Sequence, residues 1–200
     1  MEFVKEFAIF LYKNDIIKFG NFTLSSGKQS TYYIDIRLLP SYPHEYRKII
    51  KNLQNLISEQ IGLEKFDSLA SVPTGGLVIA SSLAIEIVKP LIYVRKKQKE
   101  HGTSKLVEGK TTKGMEILMI DDVATTGESV VNALKILKKE GMNVNHAYVI
   151  INRKEGADKL LESEGVRLHQ ITDILEITDI LYKENLIDEQ MLQSVKNQVN

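Results

Sequence analysis

Glu116-Ile117-Leu118-Met119-Ile120-Asp121-Asp122-Val123-Ala124-Thr125-Thr126-Gly127-Glu128-Ser129 is the stretch that decides the fold. Its four consecutive apolar residues, Ile117 to Ile120, suit a strand covered on both faces. Two acids close the strand and a hydroxyl-rich loop follows. An apolar pattern over 130–137 then marks a helix that begins near Gly127 and stops at Gly141. In parallel sheets ligands sit beyond the carboxyl ends of strands. The loop offers backbone N–H groups and hydroxyls at a helix N-terminus, where unpaired amides and the macrodipole favour phosphate. Adjacent strand residues point to opposite faces. Asp121 and Asp122 therefore reach one ligand only if the strand ends at Ile120 and the chain turns there. Two carboxylates repel a phosphate, whereas the vicinal hydroxyls of a ribose are donors and fit them.

Working outward, short apolar runs alternate with helical patterns: 68–72, 77–88, 91–94, 117–120, 130–137 and 144–151. That order predicts an α/β fold, a central mostly parallel sheet flanked by helices. Ahead of it, Phe3, Phe7, Phe10 and Leu11 fall at helical spacing, residues 14–20 break the helix, and 22–36 reads as a hairpin. Ile49, Ile50, Leu53, Leu56 and Ile57 put an apolar stripe on a second helix. Residues 95–113 interrupt the rhythm with cations, His101 and scattered glycines; a stretch this long without its own structure is typically functional. The tail, 171–199, reads as one or two short helices.

With 200 residues the chain suits one domain, and it is long enough to need no disulfide or structural metal. Lys+Arg and Asp+Glu both number 26, so bulk charge gives no argument for nucleic acid or an anionic membrane. The absence of cysteine excludes thiol nucleophiles and Cys-ligated metals and is compatible with a cytoplasmic location. The most apolar window, 77–88, is far short of the ~20 residues a membrane span needs. A near P-loop at Gly109-Lys110-Thr111 has the wrong glycine spacing, and no GxGxxG string is present.

The apolar strand, two acids and Thr/Gly/Ser loop resemble the phosphoribosyl-diphosphate (PRPP) binding motif of type I phosphoribosyltransferases. The resemblance implies that Asp121 and Asp122 hold the ribose hydroxyls, and that Val123, Ala124, Thr125, Thr126, Gly127, Glu128 and Ser129 surround the 5′-phosphate. Arg95-Lys96-x-x-Lys99-x-His101-Gly102 resembles the catalytic loop of orotate phosphoribosyltransferases. On composition alone that segment reads either as a solvated basic loop or as cations folding over a leaving group. The resemblance implies that Arg95, Lys96, Lys99 and His101 contact PRPP or pyrophosphate, with Lys99 and the two acids as the catalytic set. It also implies a homodimer in which this loop acts in the neighbouring subunit.

Three more segments are similar to the same family. Phe22-Thr23-Leu24-x-Ser26-Gly27 looks like the hairpin that hoods orotate. Arg153, just past a strand end, is a guanidinium able to bind a carboxylate bidentately; the resemblance assigns it to orotate, with Thr125 also touching the base. Thr74 and Gly75, between a strand and a helix, stand at the family's pyrophosphate loop. The implied organisation is a single phosphoribosyltransferase domain over 1–200. Within it are an N-terminal hood at about 1–40, a PRPP-binding core at 66–153 and a mobile catalytic loop at 95–113. The implied reaction joins orotate and PRPP to give orotidine 5′-phosphate and pyrophosphate in pyrimidine synthesis. Mg²⁺ is held mainly by PRPP, and neither nucleic acid nor membrane takes part. The alternatives are transfer to another nucleobase, or a PRPP-sensing regulator that binds nucleic acid.

Overall fold

A computed structural model describes residues 2–23, 27–95 and 105–199 of the chain, which forms two compact units. The larger, His44–Ile171, carries the strand–helix alternation. It begins with most of α2 (Pro43–Gln60) and continues through β3 (Ser68–Ser71), α3 (Gly75–Glu86), β4 (Leu91–Val94), β5 (Val107–Glu108) and β6 (Glu116–Ala124). Then follow α4 (Glu128–Lys139), β7 (Asn143–Asn152), α5 (Ala157–Ser163) and most of β8 (Arg167–Asp173). The strands make one sheet in the order β5-β4-β3-β6-β7-β8. β3 runs parallel to both β4 and β6, β6 runs parallel to β7, and the short β5 pairs antiparallel with β4.

Burial explains why this sheet forms. All four residues of β3, Ile117 to Ile120 of β6 and Ala147 to Asn152 of β7 are buried, as expected of strands covered on both faces. α4 turns Val130, Val131, Ala133, Leu134 and Leu137 inward and leaves Asn132, Lys135, Lys138 and Lys139 exposed. Each fully buried leucine contributes about 1.5–3 kcal/mol. Glu128 in the first turn and Lys138 and Lys139 in the last complement the helix dipole.

The smaller unit joins Met1–Pro43 to Thr172–Asn200. It contains α1 (Glu2–Lys13), the hairpin of β1 (Ile17–Thr23) and β2 (Gln29–Ile34), α6 (Ile174–Lys183) and α7 (Glu189–Val199). Gln198 ties the tail to the hairpin: its Oε1 accepts from the Thr31 N–H at 2.7 Å and the Thr31 hydroxyl at 2.9 Å, and its Nε2 donates to Ser30 Oγ at 3.0 Å. Asp173 caps α6 by accepting the Glu176 N–H at 2.9 Å.

The structure departs from the sequence reading in four places. β6 does not end at Ile120 but runs on to Ala124, because β7 continues beside it: Asp121 faces Val149 and Val123 faces Ile151. The acids begin instead where β3 stops, the last β3–β6 pair being Ser71 with Ile120. The described part of 95–113 holds a strand, β5. β1 starts at Ile17, inside the expected break, since Ile16 and Ile17 are buried. α5 and β8 add a helix and an edge strand after residue 151.

Candidate active site

β3, β6 and β7 deliver their carboxyl ends side by side, and the segments that leave these ends build the site. Val72, Pro73 and Thr74 connect β3 to α3, whose first two residues are Gly75 and Gly76. These glycines lie against the acids of β6. A Cβ on Gly75 would stand 2.6 Å from Asp122 Cγ; one on Gly76 would stand 2.9 Å from Asp121 Cα and 2.8 Å from Ser71 Oγ. Only a residue without a side chain lets the start of α3 come this close. Both carboxylates are thereby set at the amino end of α3. Asp121 Oδ1 also accepts the Asp122 N–H at 3.0 Å. The two side chains are half-buried, and their oxygens can accept from donors such as vicinal hydroxyls.

Beyond Ala124 the chain turns through Thr125, Thr126 and Gly127 into α4. Gly127 has φ +84°, the left-handed conformation that favours glycine, and packs where a Cβ would meet Ala157 Cα at 3.2 Å. The first amides of α4 have no intrahelical acceptor; that of Glu128 makes only a long contact, 3.5 Å, to Thr126 Oγ1. Thr126, Glu128 and Ser129 are exposed and Thr125 is half-buried. The turn is thus a concavity of hydroxyls and N–H groups suited to an anion.

Arg153 lies beside this turn, its N–H donating to the Ala124 carbonyl at 2.8 Å. Its guanidinium is buried against a residue the sequence reading did not single out: Arg153 Nη2 is 2.9 Å from Glu155 Oε1, with side chains 7% and 2% exposed. Arg95, at the end of β4, holds its Nε 2.8 Å from Glu108 Oε1 on β5. That Nε–H is not aligned as a hydrogen bond, so the pair is electrostatic. Lys96, Lys99 and His101 lie outside the described residues, as do residues 24–26 of the expected hood hairpin. The structure therefore brings together Asp121, Asp122, Thr74, Gly75 and the 123–129 turn, with Arg153 at the turn's edge. Gly76 belongs to the same strand-to-helix turn as Thr74 and Gly75 but was given no role; the doubled glycine at the head of a helix was its signal.

Residues 40–179 match the model of the phosphoribosyl transferase domain family. The chain is 46% identical over 196 residues to the orotate phosphoribosyltransferase of Cenarchaeum symbiosum, covering 98% of each. The crystal structure of orotate phosphoribosyltransferase from Aeropyrum pernix superposes with a TM-score of 0.78 at 37% identity, over 90% of this chain and 99% of that one. Leishmania donovani UMP synthase gives a TM-score of 0.84 at 32% identity over 98% of this chain, which spans 42% of that longer protein. The sheet order, the acid pair in the carboxyl-terminal part of β6 and these similarities agree: the chain belongs to the orotate phosphoribosyltransferase family.

Proposed function

We propose that the protein transfers the 5-phosphoribosyl group of PRPP to orotate, giving orotidine 5′-phosphate and pyrophosphate, a step in pyrimidine synthesis. The observation that carries this reading is the packing of Asp121 and Asp122 against Gly75 and Gly76 beside the Thr125–Ser129 turn. In the reaction the C1–O bond to the diphosphate breaks, N1 of orotate bonds to C1, and the N1 proton is released. Positive charge develops on the ribose and negative charge on the leaving diphosphate. Asp121 and Asp122 accept hydrogen bonds from the ribose hydroxyls and tolerate the positive charge. The turn amides and hydroxyls of Thr125, Thr126 and Ser129 seat the 5′-phosphate. The Thr74–Gly75 segment lies along the pyrophosphate, where its backbone can approach closely. Arg153 receives the orotate carboxylate and Thr125 touches the base.

Arg95, Lys96, Lys99 and His101 supply cationic stabilisation to the leaving group, with Lys99 in the catalytic role. Mg²⁺ fits as a partner of PRPP beside the two half-buried carboxylates of Asp121 and Asp122. The ion favours phosphate oxygens and retained waters, and it supplies charge neutralisation on the diphosphate. The assembly proposed is a homodimer with the 95–113 loop acting in trans. In its support, Val78, Ile85 and Val88, on and just beyond α3, are 40%, 81% and 89% exposed, an apolar face that a second copy would cover. The setting proposed is cytoplasmic, and no helix among the described residues is long and apolar enough to cross a membrane.

The test is the fall in orotate absorbance on mixing enzyme, PRPP and Mg²⁺, beside uracil and adenine as alternative bases. Consumption of orotate alone, abolished by a chelator, is expected. Consumption of uracil or adenine in its place, or tight nucleic-acid binding without turnover, would overturn the reading.

A further inference from the structure

Glu155 has no part in the reaction as proposed, yet its side chain is 2% exposed and faces Arg153. A single oxygen, Oε1, accepts from Arg153 Nε at 3.1 Å and lies 2.9 Å from Nη2. The guanidinium is planar, with its donors in a fixed fork. Holding Nε and Nη2 on one oxygen therefore sets both the plane and the rotation of the whole group.

The backbone that brings Glu155 to this edge is itself held. Lys154, between the two, adopts φ +57°, and its N–H donates to Asn152 Oδ1 at 2.8 Å. Asn152 is fully buried, and its Nδ2 donates to Asp158 Oδ1 at 3.0 Å on α5 and to Gln170 Oε1 at 2.8 Å on β8. Three elements thus fix a left-handed turn that points Glu155 back at the arginine. Charge balance for a buried guanidinium needs only a carboxylate nearby; it does not need one clamped on the Nε edge by a braced turn.

We infer that Glu155 is a positioning residue for Arg153, clamping one edge of the guanidinium so that an orotate carboxylate meets it in a single orientation. This rests on the proposed assignment of Arg153 to that carboxylate. The pair is neutral overall, so it gives little pull on anions in general. It favours a planar carboxylate presented in the plane of the fork.

Steady-state kinetics of Glu155→Gln, Glu155→Ala and Arg153→Ala test the inference, with uracil as an inhibitor that lacks the carboxylate. Glu155→Ala is expected to raise the orotate KM about tenfold while kcat, the PRPP KM and the uracil inhibition constant stay within about twofold. Glu155→Gln keeps the size and one acceptor oxygen and serves as the second variant should Glu155→Ala fail to fold; its orotate KM is expected to rise about threefold. An orotate KM that is unchanged or lowered in Glu155→Gln, with a raised one in Arg153→Ala, overturns the positioning role and leaves the arginine's assignment standing. An unchanged orotate KM in Arg153→Ala overturns both. A parallel rise in the uracil constant of the Glu155 variants marks a general disturbance of the site and also overturns the inference.

Discussion

Gly76 and Asp121 are packed so closely that a methyl group on the glycine would lie 2.9 Å from the Cα of the aspartate. The neighbour is backbone, so no rotamer change relieves the clash. Gly75 differs, since the three atoms nearest its added methyl all belong to the side chain of Asp122. Gly75→Ala is therefore expected to push the Asp122 carboxylate aside, raising the PRPP KM about tenfold or more with little change in thermal stability. Gly76→Ala must move β6 or α3, and it is expected to cost about 1–3 kcal/mol of stability as well as activity. Denaturation midpoints and PRPP kinetics of the two variants separate these outcomes; equal stability losses would contradict the geometry.

Lys99→Ala is expected to lower kcat about 10²–10³-fold, the usual consequence of losing one group that stabilises developing charge. PRPP binding, measured by calorimetry, should weaken far less. An unchanged kcat removes Lys99 from the catalytic role.

If the 95–113 loop serves the neighbouring subunit, two dead variants complement each other. Mixing Lys99→Ala protein with Asp121→Asn/Asp122→Asn protein gives hybrid dimers with one intact site, and about a quarter of the wild-type activity is expected at full random exchange on binomial mixing. No recovery, with subunit exchange confirmed by mass spectrometry, contradicts action in trans.

Stability is expected to fall on mild acidification because of a histidine pair far along the chain from the acid pair. His146 Nδ1 and His169 Nε2 are 3.0 Å apart, and the His169 ring stacks on Tyr148 with centroids 4.3 Å apart. Such a contact needs one donor and one acceptor, so a second proton is disfavoured. Burial, then His146, then Arg167 depress His169 from 6.5 to about 4; burial and Arg167 lower His146. A lowered pKa means the unfolded chain binds the proton first, so stability rises with pH between about 4 and 6.5. The stabilisation from a neutral His169 is on the order of 3 kcal/mol, present in full above pH 6.5 and gone near pH 4. Urea midpoints at pH 7.5 and 5 measure it, and His169→Gln should flatten the difference. An equal pH dependence in the variant contradicts the account.

The strand, acid pair and helix at 116–137 were legible because the apolar run, the loop chemistry and the helical period all point the same way. The true end of β6 was not. Polar Asp121 and Asp122 look like a strand terminus, but their backbone stays paired with β7 while β3 drops away. β8 escaped notice because His169, Gln170 and Thr172 give an edge strand no continuous apolar run. The Arg153–Glu155 pair depends on the left-handed turn at Lys154, and no periodicity announces such a turn. The glycines at 75 and 76 stood out as turn residues. Their packing against two carboxylates follows from the sheet order, which brings β3 and β6 together across more than forty intervening residues.

A crystal structure with PRPP and Mg²⁺ tests the central claim most directly. The account predicts ribose hydroxyls on the carboxylates of Asp121 and Asp122, and the 5′-phosphate on the amides between Thr125 and Ser129. PRPP bound elsewhere, with the tip of β6 empty at saturating ligand, would contradict it.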